Sequence, residues 1–401
     1  MNNFTVKAAI LAQAFVVMSM MLISTILHPI SQAFPNATTT QIQWIMSFGM
    51  LSGLIVSLFS GWLANHIDKK IIGFLGLFIM MLGGLQAAFF HAHLYNLYIA
   101  SLCIGVGQGL LITNISNIST QLFTGHERSH MYGLQITVES AGSVVLMLVA
   151  GYLAQALGWH GAYYTFLIII PCLIIFAIWL PKVPPPPAVA TTKTEKGPIA
   201  WPPVGVWIAG ILIALFCCGY AMFFLNAAFY VMGNELGGPA MVGWVMSVST
   251  FAAVVGSLLF SYVLRVLKRY TWALSGVFIV IAFVILVSFP PNLIAAFATA
   301  IFIGLGYSMA MPSGIQAVSE TASAKALSLS MGLYMSFMAL GLMFAPNIMN
   351  PLAKALFGEG PMGAFKTGIV WMIVMVIILI VWATVTRNSV KEVDMNAPVA
   401  E

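Results

Sequence analysis

Glu139 stands in "GLQITVESAGSVVLML" (133–148), a stretch otherwise apolar or small, in a chain of which only 6% of residues are charged. A charged side chain at the centre of a membrane helix costs roughly 2.5–3.5 kcal/mol on insertion scales, so such an acid belongs beside water, beside a partner, or in its protonated form. A carboxyl that takes up and releases a proton in that setting can exchange it for a cation. Gln135, Glu139, Gly142 and Ser143 recur at spacings of three and four, which puts one polar stripe on one helix face. Counted from Met131, Glu139 lies about 12 Å along its helix, between one face and the midplane. It is the only acid well within an apolar run, and no Lys or Arg lies in the interior of a run to neutralise it. Glu320, at the end of a run, and Glu235, between runs, read as solvated. The plainer alternative for Glu139 is a protonated side chain hydrogen-bonded between helices.

Four other stripes carry polar or aromatic groups. In "STILHPISQ", Ser24, His28 and Gln32 fall at steps of four; His28 titrates near neutrality, and Pro29 would loosen the helix and free a carbonyl. Asn114, Asn117 and Gln121 follow Gln108 of "IGVGQG" in a second run, and Ser313 and Gln316 mark a third. Tyr220, Phe223, Asn226 and Tyr230 form an aromatic face with one amide. Polar side chains also fasten membrane helices to one another, so each stripe reads either as a solute-binding lining or as helix glue. As a lining, they describe a cavity of amides, hydroxyls and rings with one acid. Such a cavity suits lipophilic neutral or cationic molecules and not a polyanion, for which no inward Arg or Lys exists.

The elements that must position these groups follow from composition. The 401 residues are 61% hydrophobic with a mean hydropathy of +1.01, which marks an integral membrane protein. A helix needs about 20 apolar residues to cross roughly 30 Å of hydrocarbon. Runs of that length occur near 7–33, 41–64, 71–90, 95–121, 131–156, 162–181, 204–231, 240–264, 271–290, 293–318, 327–350 and 364–386, which predicts twelve spans. The first is too long for a secretory signal, although "SQAFPNA" resembles a cleavage site, and is taken as span 1. Cys103, Cys172, Cys217 and Cys218 all fall within runs and read as helix filler. His66, His91, His93, His126, His130 and His160 fall between runs, and with no third ligand beside the His91/His93 pair no metal site is expected.

The formal charge of +5 reflects topology and not nucleic acid. Of the fifteen Lys and Arg residues, Lys7, Lys69, Lys70, Arg128, Lys182, Lys193, Lys196, Arg265, Lys268, Arg269, Lys325, Arg387 and Lys391 fall on one side of twelve spans. Only Lys354 and Lys366 fall on the other. The positive-inside rule therefore predicts both termini in the cytoplasm. "PKVPPPPAVATTKTEKGPIAWPP" (181–203) is the one long polar interval, and it predicts a six-helix unit over 1–181, a cytoplasmic linker over 182–203 and a second six-helix unit over 204–401.

The two units repeat each other. "QWIMSFGMLSGLIVSLFSGWLANHIDKK" aligns with "GWVMSVSTFAAVVGSLLFSYVLRVLKRY", pairing Trp44 with Trp244, Met46 with Met246, Ser47 with Ser247 and Lys69 with Arg269 at an offset of 200. After one deletion, "IGVGQG" (104–109) meets "IGLGYS" (303–308) and Gly133-Leu134 meets Gly332-Leu333. Fused parallel repeats of this kind place a substrate site at the repeat interface near the midplane. Gln316 is the counterpart of Asn117, whereas the counterpart of Glu139 is Met338, so the acid belongs to one unit only.

Twelve spans, a central linker and "GWLANHIDKK" (61–70) resemble the major facilitator superfamily, along nearly the whole chain. The loop is similar to that family's signature between spans 2 and 3, Gly-x-x-x-Asp-Arg-x-Gly-Arg-Lys: Gly61, Lys69 and Lys70 match, while Asn65, His66 and Asp68 replace Asp, Arg and Gly. "TQIQWIMSFGMLSGLIVSLFSGWLA" and "STILHPI" further resemble the drug:proton antiporter branches, although Ser101 stands where their span 4 signature has Arg and Leu146-Met147 where span 5 has Gly-Pro. The resemblance implies an all-α membrane protein of two pseudosymmetric six-helix bundles, in which spans 1, 4, 7 and 10 line the cavity. It also implies that Gly61, Asn65, Asp68, Lys69 and Lys70 form a latch on the cytoplasmic side. In residue terms, Gly61 permits close helix approach and Asn65 or Asp68 offers a helix N-cap.

The expected function is secondary transport of a small organic solute by alternating access, with proton-coupled efflux leading and uptake of a small neutral or zwitterionic nutrient as the alternative. An intramembrane enzyme would need clustered acids or histidines within spans, and the nucleotide, zinc-protease and serine-hydrolase motifs are absent. A passive channel would call for a repeated filter sequence. No cofactor is expected; the partners are the solute, protons and membrane lipid. A functional monomer in a bacterial inner membrane is the expected form.

Overall fold

The computed structural model describes residues 3–64, 66–184, 201–323 and 326–386. Among them every regular element is helical. In hydrocarbon a backbone N–H or C=O finds no water, and helices satisfy these groups within one segment. The first crossing joins α1 (Asn3–Val16), a 3-10 stretch (Ser19–Thr25) and α2 (Leu27–Ala33). Next come α3 (Thr39–Leu63), α4 (Lys69–Phe89), α5 (Leu94–Leu122) and α6 (Gly125–Leu157). A second 3-10 stretch (Trp159–Ile168) runs into α7 (Ile169–Trp179) and completes the first unit. The second unit comprises α8 (Val204–Gly233), α9 (Pro239–Leu267), α10 (Thr271–Ser288), α11 (Leu293–Thr321), α12 (Leu327–Leu356) and α13 (Pro361–Val385).

Eleven segments among the described residues are long and apolar enough to cross a membrane, and one of them, Pro239–Ser288, has 50 residues. It breaks at Lys268, whose φ of 49° lies in the left-handed region that ends a helix, and so divides into α9 and α10. The crossings therefore number twelve. The expected linker is described only at its ends, 182–184 and 201–203; Lys193, Lys196, Lys325, Arg387 and Lys391 lie outside the described residues.

The sequence repeat becomes a packing repeat. On α5, a Cβ at Gly105 would overlap the carbonyl of Gly49 on α3; on α11, one at Gly304 would overlap the carbonyl of Ser249 on α9. On α6, Gly142 abuts the backbone of Phe15 on α1; on α12, Gly341 abuts Ala214 on α8. Positions 341 less 142 and 214 less 15 both differ by 199, the register of the sequence alignment. Lipid tails are as apolar as leucine, so helices gain little by hiding apolar surface from them. Association comes from close van der Waals approach, which glycine at a crossing permits.

The two units meet over only part of their length. Calling the end that bears residues 182–203 the linker side, the hydrogen bonds across the seam gather on the far side. Gln43 Nε2 donates to the carbonyl of Leu225 at 3.1 Å, Trp44 Nε1 to Asn347 Oδ1 at 2.8 Å, and Trp244 Nε1 to the hydroxyl of Tyr152 at 3.1 Å. Toward the linker side the same faces part. Leu58, about four turns along α3 from Gln43 and Trp44, is 59% exposed, and its repeat counterpart Leu258 on α9 is 78% exposed. The structure is thus closed on the far side and open on the linker side.

Overpacking a tight crossing costs about 1–3 kcal/mol, so Gly105→Ala is expected to lower the unfolding free energy in detergent by that order. Gly133→Ala and Gly332→Ala, at helix positions with nothing within 4 Å, are expected to leave it unchanged or raise it by up to about 1 kcal/mol, measured by SDS titration.

Candidate functional site

Helix α6 places Glu139 by its neighbours. Gln135 is buried and donates through Nε2 to Ser119 Oγ on α5, Gly142 touches α1, and Ser143 is buried. These residues lie three or four positions from Glu139, so the carboxyl shares the face turned toward α1 and α5. Val145 and Tyr152, six and thirteen positions on, are exposed on the opposite side. Glu139 is partly buried, and among the described residues no hydrogen bond or ion pair reaches its carboxylate. An unpaired acid on an inward face that opens toward the linker side is placed to meet water, a proton or a cationic solute.

The other stripes divide among three destinations. Some hydroxyls and amides serve their own backbone or bundle: Ser24 donates to Met21 O at 2.7 Å and Ser313 to Met309 O at 2.7 Å. Asn114 is wholly buried inside the first unit, where its amide and that of Gln13 crowd Gly73 on α4. Phe223 and Tyr230 are buried within the second unit, Tyr230 edge-on to Phe365 at 5.9 Å. Other residues belong to the far-side seam. Asn226 Oδ1 accepts from Gln43 at 3.4 Å, and the ring of His28 meets Phe229 of α8 edge-on at 5.5 Å with its Nδ1 buried and unpartnered. Gln32 is exposed at the far end of α2. The spacing of four that joined Ser24, His28 and Gln32 presumes one continuous α-helix; the 3-10 stretch and the break at Ile26 scatter them instead.

A third group is partly exposed and belongs to neither a backbone nor the seam: Gln108, whose Nε2 lies 3.9 Å from Met18 Sδ, Asn117 and Tyr220. Tyr220 stacks on Tyr307 of α11 at 4.5 Å and 16°, with Phe224 tilted beside it at 5.1 Å. Tyr307 was visible in sequence only as part of the "IGLGYS" repeat. Gln316 is tied down, donating to Glu320 Oε1 at 2.8 Å, and Glu320 pairs with Arg269 at 3.4 Å, so this acid is a paired group and not the solvated one expected. Lys7, read from sequence only as a topology charge, bridges α1 to Glu127 of α6 at 2.7 Å.

In the 61–70 loop, Asp68, Lys69 and Lys70 make their hydrogen bonds within the first unit and to the start of the linker. Gly61 lies in the last turns of α3, and Asn65 is outside the described residues. Asp68 caps α4, accepting from Lys70 N at 2.8 Å, and also accepts from Val183 N at 3.0 Å. Lys69 is buried, donating from its backbone N to Val183 O and from Nζ to Ala64 O at 3.3 Å, while Lys70 is half-buried. With the linker-side faces apart, the loop holds the chain that leaves α7.

Twelve crossings in two repeated bundles, parted at one end around an unpaired acid, define a membrane transporter of the two-bundle kind and not an enzyme. The family comparison agrees: the profile of the Major Facilitator Superfamily matches residues 9–211 and again 211–399, one copy per unit. The chain belongs to the Major Facilitator Superfamily. It is 25% identical over 187 residues to an uncharacterized MFS-type transporter of Mycobacterium tuberculosis, a match that spans 46% of this chain and 32% of that relative. Among solved structures it is similar to a peptide transporter POT in complex with sulfate (TM-score 0.74, 15% identity, 97% and 95% of the two chains). It is also similar to the nucleoside transporter NupG (TM-score 0.77, 11% identity, 94% and 99%). At these identities the likeness is one of fold.

Loss of an N-cap side chain costs about 1 kcal/mol. Asp68→Ala should therefore lower the melting temperature in detergent and, by freeing the Val183 N–H, speed trypsin cleavage after Lys182; equal cleavage rates would count against the loop as the linker's anchor.

Proposed function

We propose that the protein is a secondary active transporter that works by alternating access and couples proton movement to efflux of a small lipophilic neutral or cationic solute. The observation that carries this reading is Glu139: an acid without a protein partner, on the interior face of α6, in a chain whose halves are parted on the side to which that face opens. A solute cation and a proton compete for one carboxylate, and binding of either shifts the balance between the two openings. Gln108, Asn117 and the Tyr220–Tyr307 stack with Phe224 supply neutral hydrogen bonds and ring faces for the rest of the solute. His28 occupies the far-side seam, where a second protonation would act on closure. By the positive-inside rule the linker side is cytoplasmic, which makes the observed opening the one that loads a solute for export.

Uptake of a small neutral or zwitterionic nutrient is the second reading. It is favoured by Ser101, buried in α5 where the antiporter branches carry Arg, and by buried Leu146 and Met147 in place of Gly-Pro.

A stabilisation screen of purified protein against lipophilic cations, neutral aromatics and zwitterionic nutrients separates the two readings. In proteoliposomes, Glu139→Gln is expected to retain solute binding and lose flux driven by an imposed pH gradient by at least about tenfold, the effect of 1.4 kcal/mol of coupling. Wild-type proton-driven flux in that variant would remove Glu139 from coupling.

A further inference from the structure

The repeat makes the two seams between the units directly comparable, and they are built differently. One seam joins α3 to α12 and α8; the other joins α9 to α6. On the first, Asn350 Nδ2 donates to Thr40 Oγ1 at 3.0 Å and to Gln43 Oε1 at 2.7 Å, while Gln43 Nε2 reaches Asn226 Oδ1. On the second, the positions equivalent to Thr40, Gln43 and Asn350 are Ala240, Gly243 and Gly151. There a Cβ on Gly243 would lie 2.8 Å from Met147 O and one on Gly151 2.7 Å from Pro239 O, so the backbones touch with no room for side chains. Only the tryptophans persist in both, Trp44 bonded to Asn347 and Trp244 to Tyr152.

One seam lies beneath a pocket. A pocket of about 480 Å³ opens on the far side above the amide cluster, with Thr40, Asn226, Phe229 and Asn350 toward its base and Lys354 and Glu359 at its lip. Lys354 and Glu359 pair at 2.6 Å and are about 70% exposed, and the bond from Lys354 holds the Glu359 carboxyl below its usual range. Separating hydrogen-bonded amides is cheap where water can replace each lost bond. Across the glycine seam the polar bonds are Ser247 Oγ to Val144 O at 3.4 Å and Trp244 to Tyr152, with no amide–amide pair, and parting it forfeits the dispersion contacts of its touching backbones.

We propose that the pocket is the far-side mouth of the transport path: the Gln43–Asn226–Asn350 cluster is its lock, and the Gly151–Gly243 seam is the pivot about which the units turn when it opens. A solute crossing this mouth exchanges hydrogen bonds with carboxamides and passes a lip of two opposite charges that pair with each other. The inference rests on the alternating-access reading, and its failure is separable from a failure of that reading.

The experiment is electron-spin distance measurement on full-length protein in nanodiscs, with the four native cysteines replaced. One label pair, Thr39→Cys with Phe357→Cys, spans the amide seam; the other, Gln155→Cys with Asn234→Cys, spans the glycine seam. Gln43→Ala combined with Asn350→Ala is expected to shift the first pair to longer distances and leave the second unchanged. Gly243→Ala is expected to shift the second pair; should it fail to fold, the amide variant alone decides. Equal widening at both pairs, or widening at the glycine pair alone, overturns the mouth and pivot while leaving alternating access standing. No widening at either pair, in wild type or variant at any pH between 5 and 8, overturns alternating access and the proposal with it.

Discussion

The structure depends on the absence of water from hydrocarbon. Every backbone group must be satisfied within its own helix, and helices then gain little by hiding apolar surface from a solvent that is itself apolar. What holds a bundle together is close approach, which the chain achieves where Gly105 and Gly304, or Gly142 and Gly341, let one backbone lie on another. Interfaces of that kind are stiff, because each tolerates no side chain and little sliding. The looser packing lies at the boundary between the units, where contact is partial and where polar groups collect.

That difference in packing explains why the polar side chains sort as they do. Inside a bundle, a hydroxyl such as Ser24 or Ser313 turns back to its own helix carbonyl, since no water is present to satisfy it. At the far-side seam, amides bond to amides across the boundary and can trade those bonds for water. On the parted linker-side faces, polar groups can stay unbonded. Glu139 is in this last position, and its lack of a repeat counterpart makes the two faces unlike: one carries the acid, while the other presents Tyr220, Phe224 and Tyr307.

The large-scale order was legible in the chain because hydrophobicity and repetition are one-dimensional signals. Twelve apolar runs and the 199–200 residue offset each required only counting, and the helical crossings and the paired glycine contacts agree with them. The 50-residue segment Pro239–Ser288 was divided correctly because "RVLKRY" interrupts it with charge. The candidate site was legible only in part. A stripe at spacings of three and four fixes which residues share a face, but not which neighbour that face meets, and Asn114, Tyr230 and Asn226 share their stripes with residues bound for other surroundings. The 3-10 stretch at Ser19–Thr25 carries no Pro or Gly to announce it, so the register through His28 could not be read. Gln43 and Asn350 carry no signal in the chain because they lie 307 residues apart, and only folding brings them together.

Glu139 also sets a condition on the remainder of the molecule. A carboxyl that exchanges its proton with one compartment must be cut off from the other, or the gradient is short-circuited. In this conformation that separation falls to the far-side seam, and the seam that bars the path is polar on one flank and glycine-packed on the other. A polar barrier can be released and remade with water as the intermediate partner, while in the proposed mechanism the glycine flank would keep the two units in register as they turn. Under the proposed mechanism an acid in one unit is sufficient: rotation of the units about a fixed flank would change which side can reach it, without a second ionisable group in the other.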